Sequence, residues 1–498
     1  MHHHSLFGVA LAVLTATPSL ASPWSITRRD NLSSLTECAT AFMAQKVEHN
    51  SSSNATFQQQ YQVIDEYYKP GGPVLYLQGA ESRTIECLGT SIVPTWAKEL
   101  GALAVTLEHR FFGQSIPSNN SDPAIAFKSM TLENVLGDSV AFIDLVRARY
   151  PDAGKAIVTG ASYGGFISAM TRLNRPETFY ELGVRIRYGS IAWAAPLRCF
   201  GEPSTDPFKR NEFDFISNLY THMSVSAASK IKNALKQLAD GIEQNKLPKT
   251  LVSSIGICTE PTNQTEYIAL LRAMLTEYSY AAQYSMAKHL VYPVNALPKL
   301  INATEQAQDD AGVLRALSEL ASQAPTPKKC WDWSGNAFST TTAMTPYLAL
   351  ACSYYPINLG NYIGNDTIFP PSGATPWNAP SNMGACPSFG ISIDKIPTYE
   401  ELSKKYHFTR EDIESSERIL FPKGEYDPVS GGCGPDPFNT VGTEGYMNPM
   451  ASRVMPVAEG AHGEDSFSPF EGAKQSVMHA QQLELESIKA WLGMATGS

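Results

Sequence analysis

Short, nearly unbroken apolar runs recur along the chain, each closed by glycine or by a loop. They are Pro73–Gln78 (P-V-L-Y-L-Q), Ala102–Leu107 (A-L-A-V-T-L), Ala156–Thr159 (A-I-V-T), Gly189–Ala195 (G-S-I-A-W-A-A), Arg418–Phe421 (R-I-L-F) and Val454–Val457. Runs of this length, bounded by turn residues, predict strands buried on both faces. Between them the apolar spacing becomes helical, as at Leu136, Val140, Ile143 and Val146, and Tyr150-Pro151 stops that helix. Strands alternating with helices predict a mostly parallel sheet with helical crossovers. The alternation breaks over residues 199–399, where Val225–Gln244 and Thr265–His289 read as helices and Asp332–Pro387 is rich in Gly, Pro, Asn and aromatics. Five of the eight cysteines fall in that block, which predicts a helical cap pinned by disulfides between two halves of the sheet. A last helix is expected from about Pro469 to Met494.

The divisions that follow are 1–21 signal peptide, 22–60 polar lead-in, 61–198 first part of the core, 199–399 cap and 400–498 second part of the core. In the first segment the apolar stretch Leu6–Leu14 is too short to span a bilayer, which takes about 20 residues. Small residues at Ser19 and Ala21 then suit signal-peptide cleavage and secretion. No other segment is apolar and long enough to cross a membrane. Asn-X-Ser/Thr sequons at Asn31, Asn50, Asn54, Asn119, Asn263, Asn302 and Asn365 agree with that route as glycosylation sites. So does an even number of cysteines with no C-x-x-C pair, although the pairing stays open. A net charge of -10 without any Lys/Arg cluster speaks against nucleic acid as a partner. The histidines are scattered and there is no H-E-x-x-H, so neither a metal nor another cofactor is expected.

The chemistry concentrates at Gly160-Ala161-Ser162-Tyr163-Gly164-Gly165, between a predicted strand and a predicted helix. Glycines two residues either side of the serine permit the sharp strand-to-helix turn that exposes a nucleophilic hydroxyl. A serine needs a base to take its proton, and the base needs an acid to orient it. In such sheets these partners follow in the order acid, then histidine, on loops after later strands. Asp427 and His462 occupy those loops; Glu425 is the rival acid, and His407 and His479 are the other histidines of that half. The oxyanion hole is expected from the N–H of Tyr163 together with that of Gly79 or Ala80, after the first strong strand. Glu81 in the same loop either caps a helix start or faces the cleft and holds a substrate amine.

The stretches Glu108-His109-Arg110-Phe111-Phe112-Gly113-Gln114-Ser115, Gly160 to Gly165, Gly424-Glu425-Tyr426-Asp427-Pro428 and Glu459-Gly460-Ala461-His462 resemble signatures of the lysosomal prolyl carboxypeptidase and dipeptidyl peptidase II family. That family also contains secreted acid prolyl endoproteases. The resemblance is close over residues 71–196 and 419–463 and loose in the cap. It implies an α/β-hydrolase core with a helical cap, a triad of Ser162, Asp427 and His462, and cleavage of peptide or protein substrates after proline. It also implies a secreted or lysosome-like location and, by analogy with relatives, a homodimer. Two departures point to a remodelled pocket for the proline: Val429 stands where relatives carry Trp after the Asp-Pro, and Cys352-Ser353-Tyr354 stands for Cys-Thr-Glu. Trp331, Trp333 and Trp377 are candidates for a replacement wall, against the alternative that each is cap packing. Carboxypeptidase, dipeptidyl peptidase and endopeptidase modes stay open. So do an esterase or lipase on the same scaffold and a non-catalytic binding protein.

Overall fold

A computed structural model describes residues 38–175, 189–200, 212–288, 292–324, 327–334, 344–357, 367–370, 382–440 and 448–495. The expected signal segment, Asn31, Asn365 and Trp377 lie outside these residues. Eight strands, β1 (Thr40–Lys46), β2 (Thr56–Ile64), β3 (Val74–Gln78), β4 (Leu103–Leu107), β5 (Ala156–Ala161), β6 (Ser190–Trp193), β7 (Ile419–Gly424) and β8 (Arg453–Val457), form one sheet. Its order is β1-β2-β4-β3-β5-β6-β7-β8. β1 and β2 pair antiparallel, as do β2 and β4, and every pair from β4 across to β8 is parallel. Helices α1 (Val93–Leu100), α2 (Pro123–Ala126), α3 (Leu132–Arg149) and α4 (Tyr163–Asn174) lie within the first half of the sheet. A helical block follows β6: α5 (Glu212–Met223), α6 (Val225–Glu243), α7 (Lys249–Val252), α8 (Gln264–Gln283), α9 (Ala296–Gln306), α10 (Asp310–Ala321) and α11 (Met344–Ser353). The chain then passes through α12 (Tyr399–Lys405) and α13 (Arg410–Glu414), and α14 (Pro428–Cys433) and α15 (Gln475–Leu492) complete the core. This is the α/β-hydrolase architecture with an inserted cap.

The period-two alternation of a strand sends neighbouring residues to opposite sides of the sheet. Ile191, Trp193, Leu420 and Met455 join the cluster with Trp96 of α1 and Ile488 and Trp491 of α15. Ala192, Ile419, Phe421 and Val454 join Phe166, Ile167 and Met170 of α4. The cap has a core of its own, built from Ile231, Leu235 and Leu238 of α6, Leu271 and Met274 of α8 and Leu314 of α10, and Tyr426 and Ala461 of the sheet's loops belong to it.

The cysteines pair as Cys38–Cys87, Cys199–Cys433, Cys258–Cys330 and Cys352–Cys386. Two of these bonds lie in the cap, and Cys199–Cys433 ties the chain leaving β6 to the end of α14.

The structure departs from expectation at both ends of the reading. Residues 22–60 are not a loose lead-in throughout, because β1 and the first half of β2 come from them. β2 reads T-F-Q-Q-Q-Y-Q-V-I and buries three glutamines, Gln59, Gln60 and Gln62, two of which use their amides on specific backbone partners. Gln59 donates to the Glu108 carbonyl at 2.8 Å, and Gln62 accepts from the Leu88 N–H at 2.8 Å. The helix expected over 265–289 stops at Gln283, where one of its four unpaired terminal carbonyls accepts the His462 N–H at 2.9 Å.

Candidate active site

β5, β6, β7 and β8 run parallel, so the loops after their carboxyl ends share one edge of the sheet. Ser162 directly follows β5, Asp427 stands three residues past β7 and His462 five past β8. Ser162 takes φ 56 and ψ -126, a left-handed conformation that a non-glycine residue holds only at a cost of about 1–3 kcal/mol. Its N–H donates to the Trp193 carbonyl at 2.9 Å, and its own carbonyl accepts the Phe166 N–H at 3.0 Å. The glycine spacing has a steric cause: a Cβ at Gly160 would lie 2.2 Å from the Gly164 carbonyl oxygen, and one at Gly165 would lie 2.6 Å from that of Trp193.

Asp427 is the N-cap of α14. Its carboxylate accepts the Val429 N–H at 3.0 Å, the Ser430 N–H at 3.1 Å and the Ser430 hydroxyl. His462 Nδ1 lies 2.8 Å from Asp427 Oδ1. An ionised carboxylate only accepts, so this bond needs the proton on Nδ1 and leaves Nε2 as the ring's acceptor. Asp427 and His462 are buried and Ser162 is 8% exposed. The rival Glu425 is exposed and accepts the Glu459 N–H at 2.8 Å instead. His407 and His479 are both exposed.

The loop carrying His462 is held from the cap. Glu464 accepts the Ala461 N–H at 3.1 Å and the Ala287 N–H at 2.7 Å, and pairs with Lys474 at 2.9 Å. Lys474 also donates to the Ser285 carbonyl at 2.8 Å.

Of the expected oxyanion donors, the Tyr163 N–H is the first in α4 and so has no partner within the helix. Gly79 is a correction: its N–H donates to the Leu107 carbonyl at 3.1 Å. Glycine is required there because a Cβ would meet that same oxygen at 2.4 Å. The Ala80 N–H, next in the loop, makes no hydrogen bond among the described residues, and a Cβ added at Gly164 would lie 3.5 Å from the Ala80 Cβ.

Glu81 caps nothing: the next helical turn, Leu88–Thr90, has Cys87 as its N-cap and no side-chain cap bond. Glu81 is buried and its Oε2 has no partner among the described residues. Burial pushes this carboxyl up to about 7, with His462 drawing it down and Glu86 adding to the rise. A second acid, Glu212 at the start of α5, is pushed by burial to about 8, opposed by the Ser279 hydroxyl and assisted by the charge of Asp427. After burial itself, Tyr280 and Asp427 raise the Tyr284 phenol ahead of Glu212 and Glu81, and Glu81 and Glu212 raise that of Tyr347. Glu212 is not visible as a site residue in the sequence, since E-F-D-F at a helix start reads as an ordinary acidic first turn.

Val429 is buried, and its backbone serves Asp427. Trp331 packs in the cap core, and Trp333 donates from its indole to the Thr259 carbonyl at 2.7 Å, so both are cap packing beside Cys258–Cys330. Glu108 and His109, adjacent in sequence, turn to different partners: Glu108 accepts the Ser115 hydroxyl at 2.7 Å, and His109 faces Tyr163. No group of three or more potential metal ligands occurs among the described residues. No helix among them is long and apolar enough to cross a membrane.

Residues 45–352 match the family model described as serine carboxypeptidase S28. The bovine lysosomal Pro-X carboxypeptidase is 24% identical, over 96% of this chain and 93% of its own length. The human protein of the same name is 25% identical, over 97% and 94%. Among solved structures, the proline iminopeptidase of Mycobacterium smegmatis is 11% identical, covers 91% of this chain and 97% of its own, and superposes with a TM-score of 0.37.

Proposed function

The chain belongs to the serine carboxypeptidase S28 family, and on that premise we propose that it hydrolyses peptides on the carboxyl side of proline through an acyl-enzyme formed on Ser162. The observation that carries the reading is the 2.8 Å bond between His462 Nδ1 and Asp427 at the sheet edge where the strained Ser162 turns into α4. In this mechanism His462 Nε2 accepts the Ser162 proton as Oγ attacks the proline carbonyl. The tetrahedral oxyanion is met by the N–H groups of Tyr163 and Ala80. The imidazolium, steadied by Asp427, then gives its proton to the leaving nitrogen, and water repeats the cycle on the acyl-enzyme. Glu81, with a buried oxygen that has no partner among the described residues and a carboxyl that His462 draws down, supports the reading that it meets a cationic group of the substrate.

Ser162→Ala tests the core of this. Turnover of a post-proline peptide should fall by roughly 10⁴-fold or more and fluorophosphonate labelling should vanish while the protein stays folded; undiminished hydrolysis would refute it. Four disulfides fit an oxidising compartment, secreted or lysosomal. The exposure of Asn50, Asn54, Asn119, Asn263 and Asn302 supports glycosylation on the way there, which a mobility shift on deglycosylation would register.

A further inference from the structure

Tyr163 does more than follow the nucleophile. Its ring is buried, and its hydroxyl is 2.8 Å from His109 Nε2 and 2.5 Å from the hydroxyl of Tyr354, the residue that follows α11 in the cap. The direction of these bonds follows from the far end. His109 Nδ1 lies 2.6 Å from the Arg110 carbonyl, which only accepts, so Nδ1 carries the proton. Burial holds His109 down to about 4, so the ring is neutral in the working range and Nε2 accepts. Tyr163 must then donate to His109, and its oxygen is free to accept the Tyr354 proton. Burial pushes both phenols upward, so both keep the hydrogen this chain needs.

Both ends of the chain are anchored. Arg110, next to His109, makes a two-pronged pair with Asp138 of α3, at 2.7 Å from Nε and 2.5 Å from Nη2. Cys352, two residues before Tyr354, is bonded to Cys386. Between these anchors, Tyr163 is also held edge-on by His109 and Tyr355, with ring centres 5.3 and 4.9 Å away. An oxyanion donor must sit within about 2.7–3.1 Å of the developing charge, so a side chain fixed at its tip fixes the N–H at its root.

We propose that His109 and Tyr354 are positioning residues for the Tyr163 oxyanion donor, and that the seating of α11 of the cap therefore sets the geometry of the hole. The inference rests on the peptidase reading above, with the Tyr163 N–H as a donor. It also accounts for a tyrosine at position 354, because a carboxylate there would accept from Tyr163 and leave His109 Nε2 without a donor.

Tyr354→Phe and Tyr163→Phe each remove one oxygen and keep the ring, so folding, checked by Tm, should survive. With a post-proline peptide, each should lower kcat by about tenfold or more, short of the 10²–10³ typical for outright loss of a donor, while KM changes little. Affinity for a peptide boronate, whose tetrahedral adduct places an oxygen in the hole, should fall in step with kcat. The double variant should be no worse than the worse single one, because both hydroxyls act through one atom. His109→Gln, which keeps an acceptor, should retain more kcat than His109→Leu. If both Phe variants hold kcat and boronate affinity at wild-type levels while Ser162 still labels with fluorophosphonate, the hydrogen-bond chain is packing alone and the proposal fails. If labelling and turnover survive Ser162→Ala, the underlying peptidase reading fails, and this inference with it.

Discussion

Replacing Glu212 by Gln isolates one buried acid at the start of α5. The side chain is 1% exposed; one oxygen accepts the Ser279 hydroxyl and the other has no partner among the described residues. Burial raises this carboxyl from 4.5 to about 8. Between those values the folded protein keeps a proton that the unfolded chain releases, so stability falls as pH rises. The contribution is fully present below 4.5 and is lost on the way up to about 8. At pH 7, which is 2.5 pH units above 4.5, the loss is about 3 kcal/mol at about 1.4 kcal/mol per unit. An amide has the same shape and no proton to hold, so E212Q should abolish that part of the slope. With about 2 cal/mol/K of unfolding entropy per residue, a chain of this length moves by about 1 °C per kcal/mol. Thermal scans at one heating rate should therefore show the Tm difference between variant and wild type growing by about 3 °C from pH 4.5 to pH 7. Parallel pH profiles for the two proteins would refute the reasoning, since they would mean that Glu212 ionises in the folded state as readily as in water.

Three further outcomes are expected. Asp427→Asn leaves the fold intact and mis-sets the His462 tautomer, so kcat should drop by roughly 10⁴-fold with a matching slowing of fluorophosphonate labelling. Glu81→Gln should raise KM for a peptide with a free amine and leave an N-blocked analogue unaffected, as read by steady-state kinetics on the pair. Replacing Cys199 and Cys433 together by Ser should cost about 2–5 kcal/mol and lower kcat as well, because that bond closes α14, the helix that Asp427 caps.

The parts of this fold that can be read from sequence are those where burial leaves no choice of residue type. β4, L-A-V-T-L, is buried at every position and announces itself. The same holds for the elbow, where Gly160 and Gly165 answer carbonyl oxygens that admit no side chain. The loops holding Asp427 and His462 are legible because each directly follows a hydrophobic strand. β2 is not, because half of its buried positions are glutamines, of which Gln59 and Gln62 become acceptable only once the Glu108 carbonyl and the Leu88 N–H are in place. Gly79 misleads for a related reason. Its glycine is demanded by the neighbouring strand β4, and a glycine needed for close approach looks the same as one needed for an oxyanion. Neither the Tyr354–Tyr163–His109 chain nor Glu212 can be found by pattern, since residues 191 apart in the first case meet only in three dimensions.

The inclusion of Tyr426 and Ala461 in the cap's own hydrophobic core bears on how this enzyme could be re-engineered. Grafting a foreign lid onto the sheet, a common route to new specificity, would strip apolar cover from the two turns that carry Asp427 and His462. A transplant would have to carry those turns with it, or supply matching side chains beneath, before any change of substrate could be measured.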